Sequence, residues 1–217
     1  MYDAEVCFAD VIAGKLLTAA RETPNRETVV VVTGDHGDLF GEYGLVGHNL
    51  VLHDGLIRVP LVLTGIEGIV DGPEMVTQHI DVTRTLAEIA GVSTEQFNGR
   101  DLREQPRQFG ISQRGVAHIH RYREFNESFG VPNMGSKPTS AVRTATEKYI
   151  ESDETRALYR LPDEETNMID EGLKSAERLS GYLTEQGISW TPGETEERAR
   201  FDETTKQRLH DLGYMTE

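Results

Sequence analysis

The spacing of apolar residues predicts that the chain begins with a helix and continues into a buried strand. Between residues 2 and 21 the apolar positions recur at helical spacing and form one stripe, which we expect to be buried. Residues 23–26 interrupt this pattern with a proline and an asparagine. The run at 28–33 contains only valine and threonine, and such a run is typical of a strand buried on both faces of a helix-flanked sheet.

Further along the chain, the pattern predicts more strands and helices, separated by polar or glycine-rich segments. These are a strand at 59–64, a helix at 75–90, a long surface loop at 125–139, strands at 141–150 and 157–161, and helices at 170–185 and 194–212. Because the composition changes after Gly99, we predict two regions. Residues 1–100 form an α/β core, and residues 101–217 form a smaller α+β subdomain with the loop, short strands and charged helices.

The balance of charged residues makes the chain strongly acidic. Aspartate and glutamate number 37 against 22 lysines and arginines, which gives a formal net charge of −15. An acidic surface repels nucleic acids and anionic lipids, so we exclude both as partners. The same surface repels a sulfate or phosphate group unless a bound divalent metal reverses the local field.

Abundant acidic residues with scarce lysine are typical of a protein that stays dissolved in concentrated salt, where screening reduces surface repulsion. The composition therefore predicts a halophilic, archaeal source. An ordinary acidic protein is the alternative interpretation.

Two further features limit the class of protein. No run of apolar residues is long enough to cross a membrane, and no secretion signal follows Met1, so we expect a cytoplasmic location. The single cysteine, Cys7, excludes an internal disulfide and any zinc site built from cysteines.

The candidate chemistry follows the first predicted strand, in the sequence Thr-Gly-Asp-His-Gly-Asp at 33–38. Asp35 offers a hard oxygen ligand suited to Ca²⁺ or Mg²⁺. His36 can bind a metal or hold a substrate oxygen, depending on its tautomer. We expect His48 to return to the same pocket and meet an anionic group. The alternatives are that Asp35 and His36 are ordinary turn residues and that His48 is a surface histidine.

These residues resemble the second signature region of the sulfatase family, in the alkaline-phosphatase-like superfamily. Several segments carry the resemblance, which covers roughly residues 1–170. They are Thr-Gly-Asp-His-Gly at 33–37, Gly-Glu-x-Gly-Leu at 41–45, Ile-Arg-Val-Pro-Leu-Val at 57–62, the helix at 79–91, and the strands and Glu-Thr-Asn between 141 and 167. The resemblance implies part of a mixed sheet flanked by helices.

The resemblance also implies roles for particular residues. Asp35 matches a calcium ligand of the family, with Mg²⁺ or Mn²⁺ as alternatives, and His36 matches a ligand or close neighbour of that metal. His48 stands where the family often has a lysine that holds the sulfate, which is a departure that makes the charge there dependent on pH. Arg58 matches an arginine that we interpret as structural. We therefore take His36 and His48 as catalytic candidates, and Asp35 and His36 as metal ligands.

The nucleophile motif of the family does not occur in these 217 residues. Sulfatases use a formylglycine made from the Cys or Ser of C/S-x-P-x-R, and none of the eight prolines lies in that pattern. The earlier Asp-Asp metal pair is also missing. We expect the C-terminal part of a longer enzyme, or a chain that has lost its catalytic half, and in either case no activity alone.

Three functions therefore remain open. The first is a metal-dependent hydrolase of sulfate esters in its complete form. The second is a phosphodiester or phosphonate hydrolase, or a phosphoethanolamine-type transferase, of the same superfamily. The third is a non-catalytic remnant that binds a metal or a partner. The expected ligand is a small sulfate or phosphate ester or a carbohydrate, and an exposed sheet edge predicts a homodimer.

The charge generates a testable prediction about salt. We expect the midpoint of thermal unfolding to rise with KCl concentration and to keep rising above about 1 M, because crowded carboxylates destabilise the compact state. Raising the ionic strength from about 0.1 M to about 1 M shortens the screening length from about 10 Å to about 3 Å. Circular dichroism melts across this range measure the effect. A midpoint that stays constant up to about 3 M contradicts the salt-adapted interpretation.

Overall fold

The computed structural model describes residues 2–23, 27–48, 50–70, 72–104, 107–117, 119–124, 126–130, 137–188 and 203–211. The chain forms two compact units, 1–187 and 188–217. Within the second unit the described residues form one helix, α6 (Glu203–Asp211), and the rest of the helix predicted at 194–212 lies outside them. The predicted division near residue 100 is not tested by this arrangement and stays a prediction.

The first unit contains helices and strands in the order expected of an α/β fold, so the predicted fold class is confirmed. The helices are α1 (Tyr2–Arg21), α2 (Asp54–Ile57), α3 (His79–Ile89), α4 (Ile119–Arg123) and α5 (Leu173–Glu185). The strands are β1 (Val30–Thr33), β2 (Leu39–Phe40), β3 (Val46–Gly47), β4 (Leu61–Thr64), β5 (Gly110–Arg114), β6 (Thr139–Arg143), β7 (Glu147–Glu151) and β8 (Arg156–Arg160). Among the described residues, no helix is both long enough and apolar enough to cross a bilayer.

The described strands form three antiparallel sheets. β1 pairs with β4, with Val30 opposite Thr64, and β2 pairs with β3. Strands β5, β6, β7 and β8 form a four-stranded meander in chain order. The single strand predicted at 141–150 is wrong, because a turn after β6 splits it. The hydroxyl of Thr144 accepts hydrogen bonds from the backbone N–H groups of Thr146 and Glu147, which favours a turn over a continuous ladder.

The best-packed part of the unit is the meander. Helix α5 packs against β6 and β7, and its residues Leu179 and Leu183 are buried. A second cluster of buried side chains lies where the meander meets the segment before α2. Its members are Leu52, Ala141, Ile150, Ala157 and Tyr159. This packing positions α2, on which the candidate site rests.

The first helix and strand form where predicted, but the predicted burial of both is wrong. No described residue of α1 is buried, and the side chains of Phe8 and Leu16 are 65% and 67% exposed. In β1, Val32 is 46% exposed. The physical reason is that β1 pairs only with β4 among the described strands, and Val32 and its partner Val62 on β4 are 46% and 52% exposed, so the described residues leave this part of the sheet uncovered.

Leu179 and Leu16 provide a matched pair for testing this packing. We expect Leu179→Ala to lower the free energy of unfolding by roughly 2 to 5 kcal/mol, because it opens a cavity at a fully buried position. Leu16→Ala should change it by less than about 0.5 kcal/mol, because that side chain is mostly exposed. Urea unfolding of both variants measures the difference. Equal losses would show that α1 is packed in solution.

Candidate functional site

The candidate site lies in the loop that joins β1 to β2, and helix α2 packs against this loop. The backbone N–H of Gly37 donates a hydrogen bond to the carbonyl of Leu56 at 2.9 Å. A Cβ atom at Gly37 would overlap the carbonyl oxygen of Gly55, so only glycine lets the loop approach α2 this closely. On its other side, the Nε2 of His79 lies 2.9 Å from the carbonyl oxygen of Gly34. Helices α2 and α3 therefore both fix the loop.

The carboxylate of Asp35 is presented to solvent at the end of β1. Its side chain is 82% exposed, and Oδ1 accepts a hydrogen bond from the backbone N–H of His36 at 3.0 Å. The backbone hydrogen bonds from His36 and from Asp35 itself lower the pKa of this carboxyl below its ordinary value, and the nearby His36 ring lowers it further. Asp35 therefore presents an ionised, accessible carboxylate that could bind a cation.

The ring of His36 is held in one tautomer by the loop itself. Its Nδ1 lies 2.9 Å from the carbonyl oxygen of Gly37. Because a carbonyl oxygen only accepts, Nδ1 carries the proton and Nε2 keeps a lone pair in the neutral ring. That Nε2 lies 3.8 Å from Oδ2 of Asp35. The ring nitrogen and the carboxylate oxygen are therefore close enough for both to contact one cation.

His48 lies beside this pair. Its ring centroid is 4.5 Å from that of His36, with the two rings tilted by 33°. The Nδ1 of His48 lies 3.0 Å from Oδ1 of Asp38, so the Nδ1–H donates to this carboxylate and Nε2 stays available. Sequence reasoning quoted Asp38 as part of the motif but gave it no role. Its position one residue after the site glycine was the available signal.

The two candidate ligands fit the edge of a metal site better than a complete one. Asp35 and His36 supply two contacts, whereas Ca²⁺ takes six to eight oxygen-rich ligands in proteins. In the part of the chain that the structure describes, no group of three or more His, Cys, Asp or Glu residues could hold a metal ion. The donor types match a divalent cation, and the number of donors falls short.

Behind the site, a buried ion-pair network joins α2 to the meander. The Nζ of Lys148, on β7, is fully buried and donates to the carbonyl of Leu52 at 3.0 Å, to Asp54 at 3.2 Å, and to the carboxylate of Glu164. Arg143 on β6 binds both oxygens of Asp54 at 2.9–3.1 Å. Sequence reasoning missed this network, and the available signal was a lysine, a rare residue in this chain, beside Tyr149 and Ile150 within a predicted strand.

Opposing effects act on the carboxyl of Asp54. Burial by itself raises the pKa of this group, but the hydrogen bonds from Arg143 and the charge of Lys148 outweigh burial, so the pKa lies below the ordinary value of 3.8. The carboxylate of Glu164 also accepts from the backbone N–H of Asp54 at 2.9 Å. These contacts fix the first turn of α2, and through Leu56 they fix the site loop.

Comparisons with known proteins agree with the resemblance predicted from the sequence. Residues 1–92 match the family model for sulfatases. A region of 97 residues, 44% of this chain, is 37% identical to the choline-sulfatase of Rhizobium meliloti (strain 1021) and covers 19% of that protein. The resemblance to sulfatases in this region is therefore confirmed.

Solved structures share the fold. A putative sulfatase from Bacteroides thetaiotaomicron matches 79% of this chain and 39% of its own chain, with a TM-score of 0.61 and 24% identity. A phosphonate monoester hydrolase from Silicibacter pomeroyi matches 89% of this chain and 42% of its own, with a TM-score of 0.60 and 20% identity. The chain thus spans about two fifths of the length of these proteins, and about a fifth of the choline-sulfatase.

The buried network generates a prediction about stability and pH. We expect Lys148→Met to lower the free energy of unfolding by roughly 3 to 5 kcal/mol at neutral pH, because the buried carboxylate of Glu164 loses its lysine and Asp54 keeps only Arg143. A group with a lowered pKa in the folded state contributes stability above its unfolded pKa and loses it as the pH falls through the folded pKa. The deficit of Lys148→Met should therefore shrink below about pH 3.8, the ordinary pKa of Asp54.

Urea unfolding between about pH 3 and about pH 7 measures both effects. The matched control is Arg178→Met, which removes a half-exposed cation from its pair with Glu147 and should cost less than about 1 kcal/mol. A loss for Lys148→Met no larger than that of the control, or a loss independent of pH, would contradict the role of the network.

Proposed function

We propose that this chain supplies one part of the active site of a metal-dependent hydrolase that cleaves sulfate esters. The observation that carries the proposal is the approach of the Asp35 carboxylate to Nε2 of His36, 3.8 Å apart, inside the region that matches the sulfatase family model. Both groups lie at the end of β1, in a loop that α2 and α3 hold in place.

Each site residue has a distinct role in this proposal. Asp35 and His36 contribute oxygen and nitrogen ligands to a divalent cation, with Ca²⁺ favoured by the carboxylate and Mg²⁺ or Mn²⁺ as alternatives. Such a cation, when bound, polarises the ester and stabilises the charge that develops on its oxygens. His48, oriented by Asp38, presents Nε2 beside His36 and holds an anionic oxygen of the substrate.

The remaining ligands and the nucleophile come, in this proposal, from a further polypeptide segment that completes the sheet. Two donors fall short of the coordination that Ca²⁺ requires. The exposed apolar stripe of α1, with Phe8 and Leu16, and the exposed Val32 of β1 are faces that such a segment would cover. A second copy of this chain is the other occupant of these faces that the sequence predicts, although two chains of charge −15 repel each other at low salt.

One observation favours a second candidate function, the hydrolysis of phosphonate monoesters or phosphodiesters, or the related transfer of phosphoethanolamine. His48 stands where sulfatases often carry a lysine, and the phosphonate monoester hydrolase from Silicibacter pomeroyi shares the fold over most of this chain. The nucleophile separates the candidates: cysteine or serine in C/S-x-P-x-R indicates a sulfatase, and a different threonine or serine indicates the alternative. A non-catalytic remnant that binds only a metal or a partner is the third candidate.

Titration of the chain with Ca²⁺, followed by calorimetry, tests the proposed ligands. We expect weak binding, with Kd roughly 10⁻⁴ to 10⁻³ M or poorer, because two donors cannot replace most of the hydration shell. Asp35→Ala should abolish this binding, and the control Asp153→Ala, which removes an exposed carboxylate outside the site, should leave it intact. In the same preparation we expect no turnover of aryl sulfates or aryl phosphonates.

Three results would contradict this picture. Submicromolar Ca²⁺ binding that Asp35→Ala abolishes would show that other residues of the chain complete the site. Metal-dependent turnover that survives repurification and disappears in Asp35→Ala would show that the chain is catalytically complete. Weak binding that is equally strong in Asp35→Ala would remove Asp35 from the site.

A further inference from the structure

A cleft of about 510 Å³ lies between β4, α3 and β5, outside the Asp35 and His36 pair. Its volume falls in the range of small-molecule sites in proteins, roughly 300 to 1,000 Å³. Its deep end is apolar: Val82 and Leu102 are buried there, and Leu61 and Leu63 of β4 are half-buried. The floor can therefore cover a compact hydrocarbon body.

The mouth of the cleft is polar and carries positive charge. Thr33, Arg58 and His79 line it and are exposed. The guanidinium of Arg58 has no ion-pair or hydrogen-bond partner within the described ranges, whereas the other arginine of the lining, Arg143, is bound to Asp54. Arg58 is therefore the cation of this cleft that is available to a ligand.

The charge of the cleft is opposite to that of the chain. None of the 18 described residues that line it is an aspartate or a glutamate, although these two residue types make up 37 of 217 positions. At that frequency about three of the 18 would be acidic. A concave surface whose described lining carries no carboxylate, with a free guanidinium at its mouth, concentrates anions even though the net charge of the chain repels them.

We propose that this cleft binds an anionic amphiphile, a compact apolar body that carries one sulfonate, sulfate, carboxylate or phosphate head. The apolar body lies on the floor formed by Leu61, Leu63, Val82 and Leu102, and the head pairs with Arg58. Charge complementarity selects the anion over a neutral analogue, because burial of the body alone does not distinguish the two. The proposal does not depend on the proposed hydrolase activity.

One residue that lines the cleft also contacts the candidate site. His79, which lines the mouth, bonds the carbonyl of Gly34 at the start of the site loop. His79 therefore belongs both to the lining of the cleft and to the contacts that hold the site loop. The two sites remain chemically separate, because neither Asp35 nor His36 lines the cleft.

Calorimetric titration with octane-1-sulfonate, below its micellar concentration, tests the proposal. The probe has a carbon–sulfur bond in place of an ester, so the measurement does not depend on hydrolysis. The control ligand is 1-octanol, which has a hydrocarbon chain of the same length and no charge. We expect the sulfonate to bind about tenfold more tightly than 1-octanol, and we expect this preference to decrease as NaCl is raised, because Arg58 lies at an exposed mouth.

Two variants locate the head group, and each has a matched control. Arg58→Gln should weaken sulfonate binding about tenfold and leave 1-octanol binding unchanged. Thr77→Glu places a carboxylate at an exposed position of the lining and should weaken sulfonate binding to a similar degree. The controls Arg160→Gln and Thr146→Glu make the same changes at exposed positions outside the cleft and should have no effect.

Measurements on two further variants distinguish binding in this cleft from binding at other surfaces of the chain. Asp35→Ala should change the Kd for the sulfonate by less than about twofold. The cleft proposal can therefore hold even if the proposed metal site proves wrong. Binding that Leu16→Gln abolishes and Arg58→Gln does not would place the amphiphile on the exposed stripe of α1 and overturn the proposal. Equal affinity for the sulfonate and 1-octanol, or no measurable binding of either, would also overturn it.

Discussion

The buried charge of Lys148 is the constraint on which the arrangement of the candidate site depends. A lysine with no exposed surface is costly unless its partners are close, and here Asp54 and Glu164 supply two carboxylates while Arg143 balances the second negative charge. Lys148 is 94 residues from Asp54 along the chain, so the network fixes distant segments against each other. Because α2 begins at Asp54 and holds the N–H of Gly37, the position of the site loop follows from this network.

Much of the fold could be predicted because the signals are local. The periodicity of α1 and the valine run of β1 locate both elements. The glycines at 34 and 37 mark the turn after β1 that contains Asp35 and His36. Burial was predicted wrongly for the same two elements, because periodicity shows which face is apolar and not whether anything covers it. Strand β5 was missed because its sequence, Gly-Ile-Ser-Gln-Arg, is short and has no apolar alternation.

The candidate site was predictable to the extent that its residues are neighbours in the sequence. Asp35 and His36 are adjacent, so their shared orientation follows from one turn. The return of His48 to the pocket was expected from its position about a dozen residues further along the chain, whereas the orienting role of Asp38 needed coordinates. Lys148 could not be assigned Asp54 as a partner, since pairing across 94 residues depends on how the meander packs. The absence of carboxylates from the described lining of the cleft is likewise a property of the folded surface and not of any segment.

The described parts of the first unit are packed to different degrees, and the less well packed part leads into the candidate site. The meander and α5 enclose a packed core, whereas β1, which leads directly into Asp35 and His36, has one covered side and an exposed Val32. Any segment that covers this face restricts the end of β1, and restriction lowers the entropy lost when Asp35 and His36 bind a cation. By thermodynamic linkage, the cation then strengthens docking of that segment by the same factor. In the proposed hydrolase, completion of the sheet and completion of the metal site are therefore one coupled step, and weak metal binding by this chain alone is its expected counterpart.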